Sequence, residues 1–357
     1  MKKFVLGGVG VALGGVLVWV LFRDTNWSEV AESIRTIDWT WFAIAQVPLF
    51  LSFPARVQRW TYIVRATDPV SFRKLFSSTQ IGFLGNFVLP GRAGEAIRAL
   101  TLTRLTGIRF SKTIAFVALD RVTDLFGLIA VIGVSILAFH PSEEVVISPD
   151  TFGTAGPIVF GTTEIQTGAL LVGIFIAAVV SVLLLLYFRR DDLLSISRAV
   201  LGRLSVRLDE IAANILNLFA DGLAVFRSPA EMAKSISWSL MTWGLAMVSI
   251  ACLLEAFAMD YRWYTPFVIQ AILAVFIAAP NTPGFVGQFH VPIVLGLVLT
   301  VPDLGSNAAK AFAIVYHLIQ LPPIFLMGVG CLLVERKNLV RLQADGEELS
   351  ETADANS

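Results

Sequence analysis

Long apolar segments without charged side chains recur along this chain, and they constrain its fold more than any other feature. Residues Gly168–Phe188, for example, contain no charged side chain. A helix needs about 20 such residues to cross the hydrocarbon core of a bilayer. Charged residues make up only 15% of the chain, whereas a soluble domain has about 25%. These features predict an all-α polytopic membrane protein.

Six segments are predicted to span the membrane fully, and the basic residues between them set the orientation, because Lys and Arg favour the cytoplasmic side. Residues 56–74 and 189–234 are rich in Arg and Lys, whereas the loop 140–167 has neither. This pattern predicts a multi-pass protein of the plasma (cell inner) membrane with both termini in the cytoplasm. The predicted spans are Phe4–Phe22, Trp39–Tyr62, Thr113–Phe139, Gly168–Phe188, Ser235–Met259 and Ala311–Val334.

A shorter apolar run lies in front of Pro90-Gly91. Residues Leu75–Leu89 would form a helix about 22 Å long at roughly 1.5 Å per residue, short of the roughly 30 Å hydrocarbon core. Arg92, Glu95 and Arg98 follow the break, and basic residues lie on both sides of the segment. We therefore expect a broken hairpin that enters and leaves from the cytoplasmic face.

A second broken run is expected to enter from the opposite face. Its apolar halves, Phe267–Ala279 and Val291–Val301, are separated by the Gly- and Pro-rich segment 280–287. Each hairpin could also be two full spans, because an even number of crossings keeps the orientation of the rest of the chain. The short lengths favour re-entrant hairpins. Two oppositely oriented re-entrant hairpins are typical of an inverted-repeat transporter, whose binding site lies at the breaks.

The first hairpin offers groups that bind phosphate. Pro is favourable at the first position of a helix, and a helix N-terminus presents unpaired N–H groups to anions. Arg92 adds a guanidinium suited to phosphate, and Glu95 could pair with Arg92 or Arg98. The alternative interpretation is an ordinary cytoplasmic loop whose arginines face water or lipid headgroups.

Three charged residues lie inside the third predicted span. Asp120 and Asp124 share one helix face, and Arg121 lies beside them. Charges within a span are costly and are usually paired or functional, so Asp124 could hold Arg98 or Arg121. The alternative is that the span begins at Val122, which would leave these charges at the membrane interface.

The second hairpin could supply the opposing half of the site through Thr282, Gly284 and Gln288, while His290 is interpreted as a core or interfacial histidine. The whole candidate site for a lipid headgroup and its translocation is Asn86, Gly91, Arg92, Gly94, Glu95, Arg98, Asp120, Arg121, Asp124, Thr282, Gly284 and Gln288.

Motifs of soluble enzymes are absent from the sequence. No HExxH, phosphate-binding Walker loop or nucleophile elbow occurs, and the three histidines are scattered. The formal net charge of zero argues against a nucleic-acid partner. We therefore expect no metal, no cofactor and no enzymatic activity, and a membrane phospholipid or lipid-linked substrate as the partner; a homodimer is allowed.

The chain is expected to form one integral membrane domain over residues 1–337. An amphipathic cytoplasmic helix is predicted at about 204–226, where apolar residues recur at helical spacing. Residues 338–357 are polar and are expected to form a disordered tail.

The motif Asn86-x-x-Leu89-Pro90-Gly91-Arg92-Ala93-Gly94-Glu95-x-x-Arg98 resembles the transmembrane region of the lysylphosphatidylglycerol synthase family. Weaker similarities occur at Arg56-x-x-Arg59-Trp60, Gly107–Ser111, Arg121-x-x-Asp124 and Thr282–Gly287. The resemblance covers nearly the whole chain. It implies a lipid-flipping membrane domain.

Two departures from the family pattern stand out. The family usually has Glu-Arg where this chain has Asp120-Arg121, and it often has a glutamate near Gln288. About twenty polar residues follow Val334, too few for the family's soluble aminoacyl-transfer domain, so we expect the translocating half alone. The leading hypothesis is a flippase for an anionic or polyisoprenoid-linked phospholipid. The alternative is a membrane-embedded enzyme or accessory subunit in lipid-linked sugar or aminoacyl-lipid metabolism.

Overall fold

The computed structural model describes residues 12, 14–89, 91–140, 144–201, 205–210, 213, 216, 229–278, 282–301 and 303–354. The predicted all-α polytopic membrane fold is confirmed. Helices α1 to α6 cover residues 14–22, Trp27–Arg35, Trp39–Arg65, Phe72–Val88, Ala93–Thr106 and Phe110–Ala138. Helices α7 to α10 cover Pro149–Phe152, Thr162–Phe188, Arg190–Leu201 and Pro229–Ala256. Helices α11 to α14 cover Thr265–Ala278, His290–Thr300, Ser306–Leu318 and Leu321–Asp354.

Five stretches of the described chain are long and apolar enough to cross a membrane: Phe110–Ala138, Thr162–Val182, Ala230–Ala256, Pro283–Thr300 and Ser306–Asn338. The predicted span Trp39–Tyr62 forms the 27-residue helix α3, whose three arginines lower its hydropathy. Residues 4–11 and 13 of the predicted span Phe4–Phe22 lie outside the described residues, and residues 14–22 form α1. The stretch Pro283–Thr300 contains a continuous α-helix of only 11 residues, α12, as expected for half of a broken hairpin.

Two apolar clusters organise the bundle, and α3 contributes to both. Ala45 and Leu49, in its first half, pack with α10 to α13 around the second broken hairpin. Val57, Trp60 and Ile63, in its second half, pack with α4, α5 and α6 around the first broken hairpin. The two hairpins are therefore embedded at different levels along α3.

The first hairpin consists of α4 and α5, whose backbones touch at two glycines. A Cβ on Gly94 would lie 2.0 Å from the carbonyl oxygen of Gly82 and 2.4 Å from the nitrogen of Asn86. A Cβ on Gly82 would lie 2.6 Å from Cβ of Arg98. Only hydrogen fits at these positions, which explains both glycines.

The second hairpin consists of α11 and α12, joined by a short 3₁₀ turn at Pro283–Phe285. Gly284, Phe285 and Gly287 have positive φ angles of 63°, 56° and 79°. Such angles favour glycine, and they reverse the chain within a few residues. The described part of the predicted break, residues 282–287, therefore contains a tight turn.

The described structure differs from the sequence expectations in two segments. The loop predicted between the third and fourth spans contains an antiparallel ribbon of β1, Val145–Ile147, and β2, Ile158–Phe160. Residues 338–354, expected to be a disordered tail, continue α14 as a helix; this segment contains Leu, Arg, Gln, Glu and Ala, which favour helices. Most of the amphipathic helix predicted at 204–226 lies outside the described residues.

Candidate functional site

Arg92 marks the break in the first hairpin. Helix α5 begins at Ala93, and Arg92 is its N-cap residue with a left-handed backbone (φ 60°, ψ 31°). This corrects the expectation that the helix starts at Pro90, which itself lies outside the described residues. Gly91 also has a positive φ of 71°. Two consecutive left-handed residues are incompatible with an α-helical first turn, so the helix starts later.

The Arg92 side chain joins the two broken hairpins. Its guanidinium donates a hydrogen bond to the main-chain carbonyl of Ile277, near the end of α11. It also lies 3.9 Å from the carboxylate of Glu95, and 36% of the side chain remains exposed. The Phe87 ring of the first hairpin also meets the Phe285 ring of the second, with centroids 6.4 Å apart. The breaks predicted on opposite hairpins therefore face each other.

A buried ion network lies behind this junction. Arg59 on α3 approaches one carboxylate oxygen of Asp120 at 2.9 and 3.0 Å, and Arg98 on α5 approaches the other at 2.7 Å. The side chains of Arg59 and Asp120 are 0% and 1% exposed. The Arg98 guanidinium also lies 3.6 Å from the centroid of the Trp60 ring, a cation–π contact. One carboxylate thus holds three helices together.

Asp124 contacts one of its two expected partners and two side chains that were not expected. It accepts hydrogen bonds from Arg59 and, at 3.1 Å, from the Trp243 indole on α10. Arg121 lies 3.9 Å away, whereas Arg98 pairs with Asp120. Of the two alternatives for Asp124, the pair with Arg121 is therefore present, whereas the pair with Arg98 is replaced by the pair between Arg98 and Asp120. Asp120 is buried inside the protein.

Arg121 connects the buried network to the junction between the hairpins. Its guanidinium lies 3.0 Å from the Glu95 carboxylate, and Glu95 is the residue that neighbours Arg92. The charged side chains therefore form a continuous path from Arg92 through Glu95 and Arg121 to Asp124. Because Asp124 also contacts Arg59, the path connects the partly exposed Arg92 with the fully buried Arg59.

The charges along this path leave an excess of positive charge. Arg59, Arg92, Arg98 and Arg121 face three carboxylates. Arg56 adds a further guanidinium, 5.5 Å from the centroid of the Phe83 ring. A low-dielectric site with unbalanced positive charge favours an anion such as phosphate.

The candidate residues of the second hairpin hold its two halves together. The Gln288 amide donates to the carbonyl of Phe276 at 2.6 Å and accepts from the backbone N–H of Thr282 at 3.1 Å. The Thr282 hydroxyl donates to the carbonyl of Val286 at 2.9 Å. Gln288 and Thr282 are buried, and Gly284 supplies the left-handed turn. These residues position the break opposite Arg92.

Asn86 and Gly94 lie at the contact between α4 and α5. Gly94 is one of the candidate site residues, and its α-carbon is covered by α4. The close packing gives Gly94 a structural role in setting the position of Arg92 and Glu95. Gly91 lies beside Arg92 in the left-handed turn.

Sequence reasoning missed a histidine pair at the second break. The ring nitrogens Nε2 of His290 and Nδ1 of His317 lie 3.3 Å apart, and the Gly287 N–H donates to Nδ1 of His290 at 3.3 Å. Nδ1 of His290 is therefore an acceptor, so Nε2 carries the proton and donates to His317. The two histidines lie on α12 and α13, and neither shows a local sequence signal.

Sequence reasoning also missed the roles of Arg59, Trp60 and Trp243. Arg59 was counted with the basic residues that mark the cytoplasmic end of a span. The signal that could have identified it is the spacing Arg56-x-x-Arg59-Trp60, which places Arg59 in the apolar second half of α3.

The fold and this site define a multi-pass membrane protein with opposed broken hairpins and an arginine–carboxylate network between them. Residues 7–328 match the family model for the lysylphosphatidylglycerol synthase TM region. The chain therefore belongs to this family.

The chain is also similar to the protein named Glycosyltransferase AglD of Haloferax volcanii. The two are 25% identical over 346 residues, which is 92% of this chain and 54% of that protein. The chain thus spans about half the length of this curated relative. The relative's name overturns the expectation, drawn from absent motifs, that enzymatic activity plays no part. Motifs of soluble enzymes are a poor guide for a membrane-embedded chain.

Proposed function

We propose that this chain is a lipid translocase, which moves an anionic or polyisoprenoid-linked phospholipid across the bilayer and serves lipid-linked sugar metabolism. The observation that carries this proposal is the contact between the two broken hairpins, in which Arg92 of the first donates to Ile277 of the second. In transporters, substrate sites lie where broken helices meet. The relative named a glycosyltransferase supports the link to sugar chemistry.

The roles of the individual residues follow from their positions. Arg92 is half-exposed, and it is the group that would first bind a phosphate. Glu95 and Arg121 connect it with the buried network, where an arriving anion would compete with carboxylates for guanidinium groups. Asp120 and Asp124 hold Arg59, Arg98 and Arg121 in place, so that the arginines keep their positions when the lipid leaves.

The orientation we propose follows the distribution of basic residues. The end that carries Arg65, Arg73 and Lys74 lies in the cytoplasm, and the β-ribbon lies outside. Both termini are then cytoplasmic, in a plasma membrane.

The test is reconstitution of the purified protein into liposomes with a fluorescent anionic phospholipid. The Arg92→Gln variant is expected to lower the transport rate about tenfold or more, because charge-assisted phosphate contacts are strong. The matched control is Arg73→Gln, at a side chain that is 71% exposed and pairs with Glu335. The proposal fails if Arg92→Gln transports lipid as fast as wild type while its melting temperature is unchanged.

A second candidate function is glycosyl transfer involving a membrane lipid, favoured by the name of the relative. The purified chain would be incubated with a sugar nucleotide and a polyprenyl phosphate, and the lipid products separated by chromatography. A new glycolipid that forms only with active protein would support this candidate. Its absence, with transport intact, would support the translocase alone.

A further inference from the structure

A polar cavity opens at the end of the molecule that carries the β-ribbon. It has a volume of about 760 Å³ and lies between β1, the residues before α11 and the end of α12. Its lining includes Glu144, Arg262, Trp263, Tyr264 and Asp303. A cavity of this size accommodates a ligand of several rings or groups.

The aromatic side chains form one corner of this cavity. Trp263 is 66% exposed, and its ring stands at 78° to that of Tyr264, with centroids 5.9 Å apart. The Tyr264 ring contacts Phe139 in turn, at 6.1 Å. A fixed, exposed indole face beside a phenol offers an apolar surface and polar edges together, the combination that binds the C–H face of a sugar ring.

The charged side chains of the cavity are available to a ligand. In the described part of the chain, no ion pair joins Arg262 to Glu144 or Asp303. All three are exposed at the cavity. Ionised carboxylates only accept hydrogen bonds, so they suit hydroxyl groups, whereas a guanidinium suits a phosphate.

An apolar groove adjoins the polar cavity. It has a volume of about 330 Å³ and is lined by α6, α8 and α11, including Ile136, Ile272 and Val275. Phe139 and Leu299 line both the groove and the polar cavity. The two spaces therefore form one amphipathic site, apolar along the helices and polar at the end of the bundle.

We propose that this site binds a lipid-linked saccharide. The hydrocarbon chain lies in the groove, the phosphate contacts Arg262, and the sugar lies on Trp263 with its hydroxyl groups donating to Glu144 and Asp303. This inference rests on the proposed function, since it names the substrate class and the second place where the translocated lipid is held.

The charge of the cavity favours a saccharide over a simple anionic phospholipid. Two carboxylates face one guanidinium, so the cavity as a whole repels a ligand that is only anionic. A sugar supplies the hydroxyl donors that the carboxylates require, and its phosphate needs only the one arginine. Phosphate alone would also leave most of the 760 Å³ cavity unfilled.

The test is equilibrium binding of radiolabelled lipids to the purified full chain in nanodiscs. The probes are a polyprenyl phosphate, the same lipid carrying one hexose, and phosphatidylglycerol. Wild type is expected to bind the hexose-bearing lipid about tenfold more tightly than the bare phosphate. Trp263→Leu should remove this preference, because buried aromatic anchors dominate binding energy, and Arg262→Gln should weaken both polyprenyl lipids.

Two matched controls separate the site from general effects. Val275→Trp fills the groove at a residue that is 64% exposed and should weaken all polyprenyl ligands, while Leu326→Trp, at 67% exposure, should not. Trp39→Leu removes another exposed tryptophan, 59% exposed, and should leave binding unchanged. Melting temperatures confirm that each variant is folded.

The proposal is overturned if the hexose brings no preference, if phosphatidylglycerol competes equally, or if Trp263→Leu and Trp39→Leu behave alike. The last result would make Trp263 an ordinary interfacial tryptophan. Arg92→Gln is expected to slow transport yet retain the hexose preference. If the hexose preference is absent while Arg92-dependent phospholipid transport persists, this inference fails and the translocase proposal stands. If the hexose preference is present but the chain transports no phospholipid, the translocase proposal alone is overturned.

Discussion

Arg59 and Asp120 form a fully buried ion pair between α3 and α6, with nitrogen–oxygen distances of 2.9 and 3.0 Å. Arg59 comes from the basic end of the second predicted span, and Asp120 lies inside the third. Their pairing brings the second half of α3 against the charged segment of α6, and Arg98 joins α5 to the same carboxylate.

Breaking this pair should destabilise the protein strongly. Arg59→Ala leaves the Asp120 and Asp124 carboxylates with one guanidinium fewer in a buried site, and such changes cost about 3–5 kcal/mol. The measurement is the melting temperature in detergent. Arg189→Ala is the control, because the side chains of Arg189 and its partner Asp192 are both exposed and surface pairs contribute about 0–1 kcal/mol. Equal melting temperatures for the two variants would contradict the prediction.

The contact between α4 and α5 predicts that Gly94→Ala is poorly tolerated. The added Cβ would lie 2.0 Å from the carbonyl oxygen of Gly82, so the helices must separate, at a cost of about 1–3 kcal/mol. Gly133→Ala is the matched control, because a Cβ there meets nothing within 4 Å. Since Ala is a better helix former than Gly, that variant should be neutral or stabilised. A neutral Gly94→Ala would be inconsistent with the observed packing.

The histidine pair predicts coupled substitutions. His317→Phe leaves the Nε2–H of His290 without its acceptor, which costs about 1–3 kcal/mol. His290→Phe removes the acceptor of the Gly287 N–H as well. Because the two rings share one hydrogen bond, the double variant should be destabilised by less than the sum, with a coupling of about 0.5–3 kcal/mol. The coupling is measured from the free energies of unfolding of wild type, the two single variants and the double variant under one condition. Additive effects would argue against the hydrogen bond.

Asp150 predicts an acid-sensitive contact at the β-ribbon end. A hydrogen bond from Ser148 has the largest effect on the pKa of Asp150 and lowers it. Burial raises the pKa, a hydrogen bond from Ser306 lowers it further, and the net pKa lies below its usual value. A carboxyl with a lowered folded-state pKa stabilises the fold above its unfolded pKa of about 3.9, and this stabilisation is lost as the pH falls through the lower value. The melting temperature should therefore fall below about pH 4.

Asp150→Asn is the matching variant for this pH dependence. It keeps the size of the side chain but does not titrate, so its melting temperature should decline less between pH 5 and pH 3 than that of wild type. The backbone carbonyl of residue 150, which accepts from Lys310 at 2.7 Å, is unaffected by the change. Parallel curves for the two proteins would remove Asp150 from the acid response.

The broken hairpins could be predicted from the sequence, because the lengths of their apolar halves and the Gly- and Pro-rich breaks are local properties. It was also sufficient to single out Asp120 and Asp124, since carboxylates in an apolar helix need partners. It was not sufficient for Arg59: an arginine at the end of an apolar run has the same local pattern whether it faces water or turns inward. The His290–His317 pair and the cover over Gly94 depend on contacts between separate helices, which spacing along one helix does not reveal.

The glycine contacts of α4 have a mechanical consequence. Gly82 and Gly94 leave no side chain between α4 and α5, and on the other side a Cβ on Gly328 of α14 would lie 2.7 Å from Cβ of Leu84. No compressible layer of side chains separates the three helices at these points. We therefore expect a displacement of α14 to move α4 as well, and with it the turn that carries Arg92. The position of α14 would then affect the contact between the two hairpins.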